Sequence, residues 1–428
     1  MKIIIRLLTF CTFAGFLLTS CEGPAGPAGK DANETCKQCH NSAGVDSVTT
    51  QFELSKHSYG EDAFTESGST GCAPCHTSEG FKYVVANNTS TVFVLSGTSY
   101  TNPYASSADK SYGEMRCSMC HPKLHTSYTD ADFMPLATTA AVPMTFFGGA
   151  KTINLTQDGG KSNLCVKCHQ PRPFTNSNSN KNILNYDSLK LAPTAVYYDA
   201  AQVKNLLKPS YRTHTHYGTA GAIFAGKGGV EFGTGYANSQ HTTVASCEDC
   251  HMAPMTGKGG GHTFSALGNF NGCNVTGCHS ANPISSSTTT KYWKQTRDEI
   301  TALLNSLAAK LKIGGVEILN RNGDATNNLW YGLTTNNYDG YLNIYDPVTN
   351  PTAQTYNASS FQYIGTPSTS TWTAAQIAYN ATLPKITLTN AQMGALINFQ
   401  LCLRDYSLGI HNYTYTKTLL TNTIAALP

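Results

Sequence analysis

The sequence predicts a mainly α-helical chain with extensive irregular loops, ordered through much of its length around something other than its own side chains. Three observations lead there. Six pairs of cysteines, each followed directly by a histidine, are strung between residues 36 and 279. The stretches between them show little sustained helical or strand period, and Gly, Ser, Asn and Pro punctuate them as loop. Beyond residue 290 the texture changes, and apolar residues return at helical spacing.

Five of the pairs are spaced alike: Cys36-Lys-Gln-Cys39-His40, Cys72-Ala-Pro-Cys75-His76, Cys117-Ser-Met-Cys120-His121, Cys165-Val-Lys-Cys168-His169 and Cys247-Glu-Asp-Cys250-His251. The sixth, Cys273 to Cys278-His279, has four residues between its thiols instead of two. Cys-x-x-Cys-His is the attachment motif of c-type haem. Two thiols add across the porphyrin vinyl groups, and the adjacent histidine becomes the first axial ligand. One such motif could equally be half a zinc site or a redox dithiol; five, with a sixth of longer spacing, point to six covalently bound haem c groups.

The chain has 15 cysteines, and twelve enter these pairs. Of the other three, Cys11 falls in an apolar leader and Cys21 in the lipidation signal described below, which leaves Cys402 with no partner for a disulfide framework. The other reading of Cys273 and Cys278 is a disulfide between them.

The 13 histidines divide in the same way. His40, His76, His121, His169, His251 and His279 follow thiols. Seven remain, His57, His125, His214, His216, His241, His262 and His411, to supply six second axial ligands. His214 and His216 compete for one role, with His216 favoured, so the expected distal set is His57, His125, His216, His241, His262 and His411. Six-coordinate iron has no open position, which means electron transfer rather than bond chemistry.

Taken in order, the chain begins with a basic n-region, Lys2 and Arg6, and an apolar segment of signal-peptide length. Leu18-Thr19-Ser20-Cys21 is similar to a bacterial lipobox. Residues 1–20 are therefore expected to be removed and Cys21 to be lipidated. Glu22 stands where an aspartate would favour inner-membrane retention in enteric bacteria, so the expected site is the outer membrane, at the cell surface or on its periplasmic face. Residues 21–35 contain three Gly-x-y units, too few for a triple helix, and are read as a tether. The haem-binding region is 36–285, and a Ser/Thr-rich hinge follows at 285–290.

The C-terminal region, 286–428, is expected to be helical. Ile300, Leu303, Leu304, Leu307 and Leu311 form one stripe within residues 291–312, which Gly314-Gly315 should end. Residues 313–372 are rich in Asn, Tyr and Thr and read as irregular with short strands. Thr389 and Gln392 form a capping-box pattern opening a helix to about Tyr406. A break at Gly409 precedes a last helix from about Tyr413 to Leu427.

Charged residues are only 13% of the chain, about half the usual share. The formal charge is +3, and loss of Lys2 and Arg6 leaves about +1. Six ferric haems, each adding about −1 through their propionates, would make the loaded protein mildly acidic. That argues against nucleic acid as a partner.

With these motifs placed, the chain resembles multihaem c-type cytochromes related to the nitrite reductase and octahaem reductase families. Cys250-His251-Met-Ala-Pro, followed by Gly261-His262-Thr-Phe, is similar to their Cys-His-Met-Pro segment with a following ligand histidine. Asp405-Tyr-Ser-Leu-Gly-Ile-His411-Asn resembles their C-terminal ligand motif. The resemblance covers residues 36–280 and 386–428. It implies a multihaem cytochrome architecture packed around covalent haems, with His411 returned as a ligand from the C-terminal helical region. It does not carry over an activity. Pentahaem nitrite reductases have one Cys-x-x-Cys-Lys motif whose lysine leaves the catalytic iron open, and here all six motifs end in histidine.

The expected function is a lipid-anchored electron carrier at the bacterial envelope, serving redox proteins or extracellular acceptors. Two alternatives stay open: a reductase of a small nitrogen or sulfur compound, and a homo-oligomeric filament in which a spare histidine crosses between subunits. Intact mass after extraction of free haem should correspond to six haems per chain; a mass for five would remove the Cys273–Cys278 assignment.

Overall fold

The structure, a computed structural model, describes residues 40, 44–59, 72–87, 94–96, 99–101, 114–134, 136–144, 151–172, 184, 186–198, 213, 215–216, 218–285, 291–321, 338–342, 356–357, 362–363 and 386–428. Cys21, the tether, Cys36, Cys39 and His214 lie outside them.

Among the described residues, ten short helices precede residue 285: α1 (Val45–Glu53), α2 (Lys56–Tyr59), α3 (Ala73–His76), α4 (Ser78–Ala86), α5 (Cys117–Cys120), α6 (Ser162–Val166), α7 (Tyr186–Leu191), α8 (Ala220–Phe224), α9 (His241–Val244) and α10 (Cys247–His251). Three longer described ones follow: α11 (Thr296–Lys310), α12 (Asn390–Arg404) and α13 (Tyr413–Ala426). Strands are brief and pair in twos among the described residues. β1 (Val94–Ser96) pairs with β2 (Ser99–Thr101), and β3 (Val142–Met144) with β4 (Lys151–Ile153). β5 (Val196–Tyr198) does not pair with its neighbour in sequence but with a strand just before α12, at Leu388–Thr389. That ladder ties the haem-motif part of the chain to its C-terminal part.

α12 is the centre of the molecule's apolar packing. Every residue from Ala391 to Arg404 is buried, the condition of a helix enclosed on all sides. The Thr389 hydroxyl accepts from the Gln392 N–H at 3.2 Å, and the Gln392 side chain returns to the Thr389 N–H at 2.9 Å. This reciprocal bond satisfies two orphan donors of the first turn. Around α12 pack Ile300, Leu304, Leu307 and Leu311 from and just after α11, and Tyr415, Leu419 and Leu420 from α13. Val142, Met144, Ile153, Val166, Ile223, Val230 and Phe232 join the same cluster from before residue 285. Gly394 lets Phe232 approach: a Cβ there would lie 2.5 Å from the ring edge. A second, small cluster of Phe81, Val84 and Met119 lies among the early motifs.

One expectation changes in detail. Gly314-Gly315 does not end the helix, which stops at Lys310. The two glycines, at φ +55° and +83°, make the turn of a hairpin whose Ile313 and Val316 are partners. Positive φ at both central residues is what a two-residue hairpin turn requires. Among the described residues, no helix is long and apolar enough to cross a membrane.

Asn398 is the polar pin of this core. It is fully buried, donates to the Val230 carbonyl at 2.8 Å and the Thr423 hydroxyl at 2.8 Å, and accepts from the Val230 N–H at 2.7 Å. Asn398→Ala leaves the Val230 N–H and carbonyl without partners in a water-free site, a cost on the order of 3 kcal/mol. Thermal unfolding followed by circular dichroism should show a clearly lowered midpoint.

Candidate functional site: six facing imidazole pairs

Each described motif folds as a tight turn that presents both thiols and aims the histidine. The N–H of His76, His121 and His169 donates to the carbonyl of the first cysteine of its motif, at 3.1, 2.9 and 2.9 Å. His251 ends α10, which Ser246 and Asp249 open with a capping box. The long motif closes in the same way, His279 N–H donating to the Cys273 carbonyl at 3.0 Å. Its two extra residues are taken up in a turn where Gly277 stands at φ +88°. All described cysteines, Cys273 and Cys278 included, are free thiols.

Every histidine that follows a thiol pair faces one that does not. The ring centroids are 6.1 Å apart for His40 and His125, 6.4 Å for His76 and His216, and 6.3 Å for His121 and His262. They are 6.0 Å apart for His169 and His57, 6.0 Å for His251 and His411, and 6.1 Å for His279 and His241. Sequence neighbours are thus not partners: His241 and His262 flank His251, yet each faces a different motif's histidine.

This spacing has a specific meaning. Two metal–nitrogen bonds of about 2.0 Å, plus about 1.1 Å from each nitrogen to its ring centroid, place two axial imidazoles about 6.2 Å apart. Simple ring packing spreads over about 4.5–7 Å, whereas these six separations fall between 6.0 and 6.4 Å. Among the described residues no three metal-ligating side chains converge on one point. Two imidazoles are too few for a bare ion of the usual four or more ligands, but they are the complete protein share for an iron whose other four donors belong to a porphyrin. The residues present therefore fit haem.

Hydrogen bonds fix which ring nitrogen is free to ligate. Nδ1 of His121, His251 and His241 donates to the carbonyls of Phe133, Phe264 and Ile410, each at 2.8 Å. This leaves Nε2 of each as the ring nitrogen not engaged by the backbone. His411 Nδ1 lies 2.6 Å from Asp405 Oδ1 instead.

Burial, with His169 and His76 close by, lowers His57 to about 4. Burial also lowers His216 to about 3, reinforced by Arg172, His76 and Arg404. His169, His251, His262 and His279 are lowered by burial too. These imidazoles are therefore neutral near pH 7, as ligation requires. At His411 burial also acts downward, but the Asp405 carboxylate outweighs it and the pKa is raised.

The motifs touch one another through their thiols. The Cys168 thiol is hydrogen-bonded to that of Cys75, Cys165 to Cys247, and Cys250 to Cys273. Those contacts and burial hold Cys165 and Cys168 well above the ordinary thiol value, and burial raises Cys120 to about 11. The second, fourth, fifth and sixth motifs are therefore consecutive neighbours. His125, four residues beyond His121, brings the first site beside the third.

Sequence reasoning missed Phe264. Its backbone is left-handed, φ 54°, and its carbonyl takes the His251 proton. Its ring packs edge-on against His57 at 4.9 Å and against His262 at 5.6 Å. One residue thus braces three pairs. His125 and His216 are also left-handed, at φ 61° and 75°, a conformation uncommon outside glycine that recurs at functional sites.

Compared with family models, with curated proteins and with solved structures, the chain matches none.

The pairing yields a sharp contrast between the two neighbouring candidates. If haem occupies these pairs, His216→Ala should convert one low-spin signal to high-spin, because His76 would face no second imidazole. His214→Ala should leave the low-spin spectrum whole. Electron paramagnetic resonance of the two variants checks it.

Proposed function

We propose that this chain is a hexahaem c-type cytochrome that carries electrons along a row of bis-histidine haems at the bacterial envelope. The single observation that carries the reading is the set of six facing pairs. They use all six histidines that follow thiols and place one other histidine opposite each, at the separation iron requires. The haem, when bound, supplies a one-electron centre that neither makes nor breaks bonds to substrate.

The chain's own residues do the rest. The thiol pairs anchor, the histidine of each motif is aimed by its return bond to the first cysteine, and the second imidazole closes the other face against outside ligands. Burial keeps His57, His169 and His216 neutral and dry. The thiol contacts set neighbouring sites side by side, so that electrons need no moving part to pass between them.

The His40 side chain is half exposed, and Cys117, Cys165 and Cys278 are exposed, so the row meets its surroundings at more than one site where a partner would give or take electrons. That partner would be a redox protein or an extracellular acceptor, reached from a lipid anchor at Cys21. The resemblance to multihaem cytochromes and the motif set support this reading, and the absence of a Cys-x-x-Cys-Lys motif disfavours a reductase.

Carbon monoxide and cyanide should leave the reduced and oxidised spectra almost unchanged at neutral pH, and reductive titration should be broad and multi-step. A stoichiometric high-spin signal that titrates with nitrite, together with nitrite turnover, would replace this reading with that of an enzyme.

A further inference from the structure

The imidazoles differ in what stands behind them. His121, His241 and His251 give their Nδ1 protons to neutral backbone carbonyls, and His169 has a backbone hydrogen bond with Gly218. His40 has Asp46 nearby at 3.8 Å, beyond hydrogen-bond distance, and both side chains are at least half exposed. At His411 the partner is the Asp405 carboxylate at 2.6 Å, with only 1% of that side chain exposed. Ser407 Oγ donates to the other carboxylate oxygen and accepts from the His411 N–H at 3.2 Å. The seven residues from Asp405 to His411 are thereby wound around one acid–imidazole bond, with Tyr406, Leu408 and Gly409 in left-handed backbone.

A hydrogen bond to an ionised acceptor is shorter and about twice as strong as a neutral one, and a dry setting strengthens it further. An imidazole whose N–H is drawn toward a carboxylate is the more basic at its other nitrogen. A stronger axial donor, with a buried negative charge close by, favours the ferric over the ferrous state.

We propose that Asp405 is a positioning residue that sets the potential of one site. It holds His411 with Nε2 toward His251 and makes that site harder to reduce than those backed only by carbonyls. The inference rests on the haem reading above. One electron added at this site turns ferric iron ferrous while the shared proton stays on His411 Nδ1. Because Cys247 contacts Cys165 and Cys250 contacts Cys273, this site sits between the fourth and the sixth. The low step then lies inside the row rather than at its end.

The test is potentiometric titration of the six-haem protein with dithionite, followed by visible absorbance and low-temperature paramagnetic resonance. Asp405→Asn keeps the shape and an acceptor oxygen but removes the charge. One of the six one-electron components should rise by tenfold or more in its reduced-to-oxidised ratio, about 59 mV, with one low-spin signal shifted and five components in place. Ser407→Ala removes the hydroxyl that stabilises the carboxylate, so the same component should fall. Asp405→Glu should recover part of the wild-type value. An Asp405→Asn protein with six low-spin haems and no component moved overturns the inference, and the haem reading survives. Should that variant not fold, an unmoved component in Ser407→Ala overturns it equally. Wild-type protein without covalent haem overturns the proposed function and this inference with it.

Discussion

The motif-bearing part of this molecule depends on holding pairs of imidazoles opposite one another, with ring centres about 6 Å apart, without letting them collapse onto one another. A lone imidazole on a flexible side chain would rotate and protonate. Here one ring nitrogen is tied back, to the carbonyl of Phe133, Phe264 or Ile410 or to the carboxylate of Asp405, and the other is left to face the gap. At His57, His169, His216, His251, His262 and His279 burial also disfavours the proton that would compete for the gap-facing nitrogen. The thiol pairs follow from the same need, since the histidine of each motif is aimed only once its turn has closed.

The rigid support for these rings comes from α12. Its Leu401 carbonyl accepts from the Thr219 hydroxyl at 2.9 Å, and its Arg404 carbonyl accepts from the Gly218 N–H at 3.2 Å. Gly218 in turn lies against His169, where an added Cβ would come within 3.2 Å of Nδ1. From the next turn of chain, Asp405 holds His411, and the Ile410 carbonyl holds His241. The end of one fully buried helix thus orients histidines of three pairs. In the proposed holoprotein each iron would further act as a cross-link closing a long loop, which constrains the unfolded chain much as a disulfide does.

What was legible in the sequence follows the range of the chemistry. Thioether attachment needs two thiols and a histidine close together in the chain, so all six motifs could be read directly. The count of spare histidines gave six roles for seven residues, but not the assignments. His262 opposite His121, or His57 opposite His169, depends on contacts across the fold that no local pattern records. The helical stripe at Ile300, Leu304, Leu307 and Leu311 and the cap at Thr389 were legible because side-chain period and capping are local. Phe264 was not, because its role rests on a backbone carbonyl and a left-handed φ. Neither was the burial of Asn398, Gln400 and Arg404 inside α12. Polar residues on a helix ordinarily mark its solvent face, and here their partners come from Val230, from Gly340 and from within the helix itself.

The place of α12 and His411 in the chain has a further consequence for biogenesis. A polypeptide is made amino terminus first. All six thiol pairs therefore emerge before Asn390, and five imidazole pairs have both members by His279. The helix that braces them comes last, and with it the partner of His251. On the proposed haem reading, maturation would have a built-in order: attachment could run ahead while the motifs are still loosely held and open to a modifying enzyme, and the final forty residues would then lock them. Nascent chains that stop short of this segment would carry their thiols and first ligands yet lack the final latch, giving quality control a means of telling finished molecules from unfinished ones.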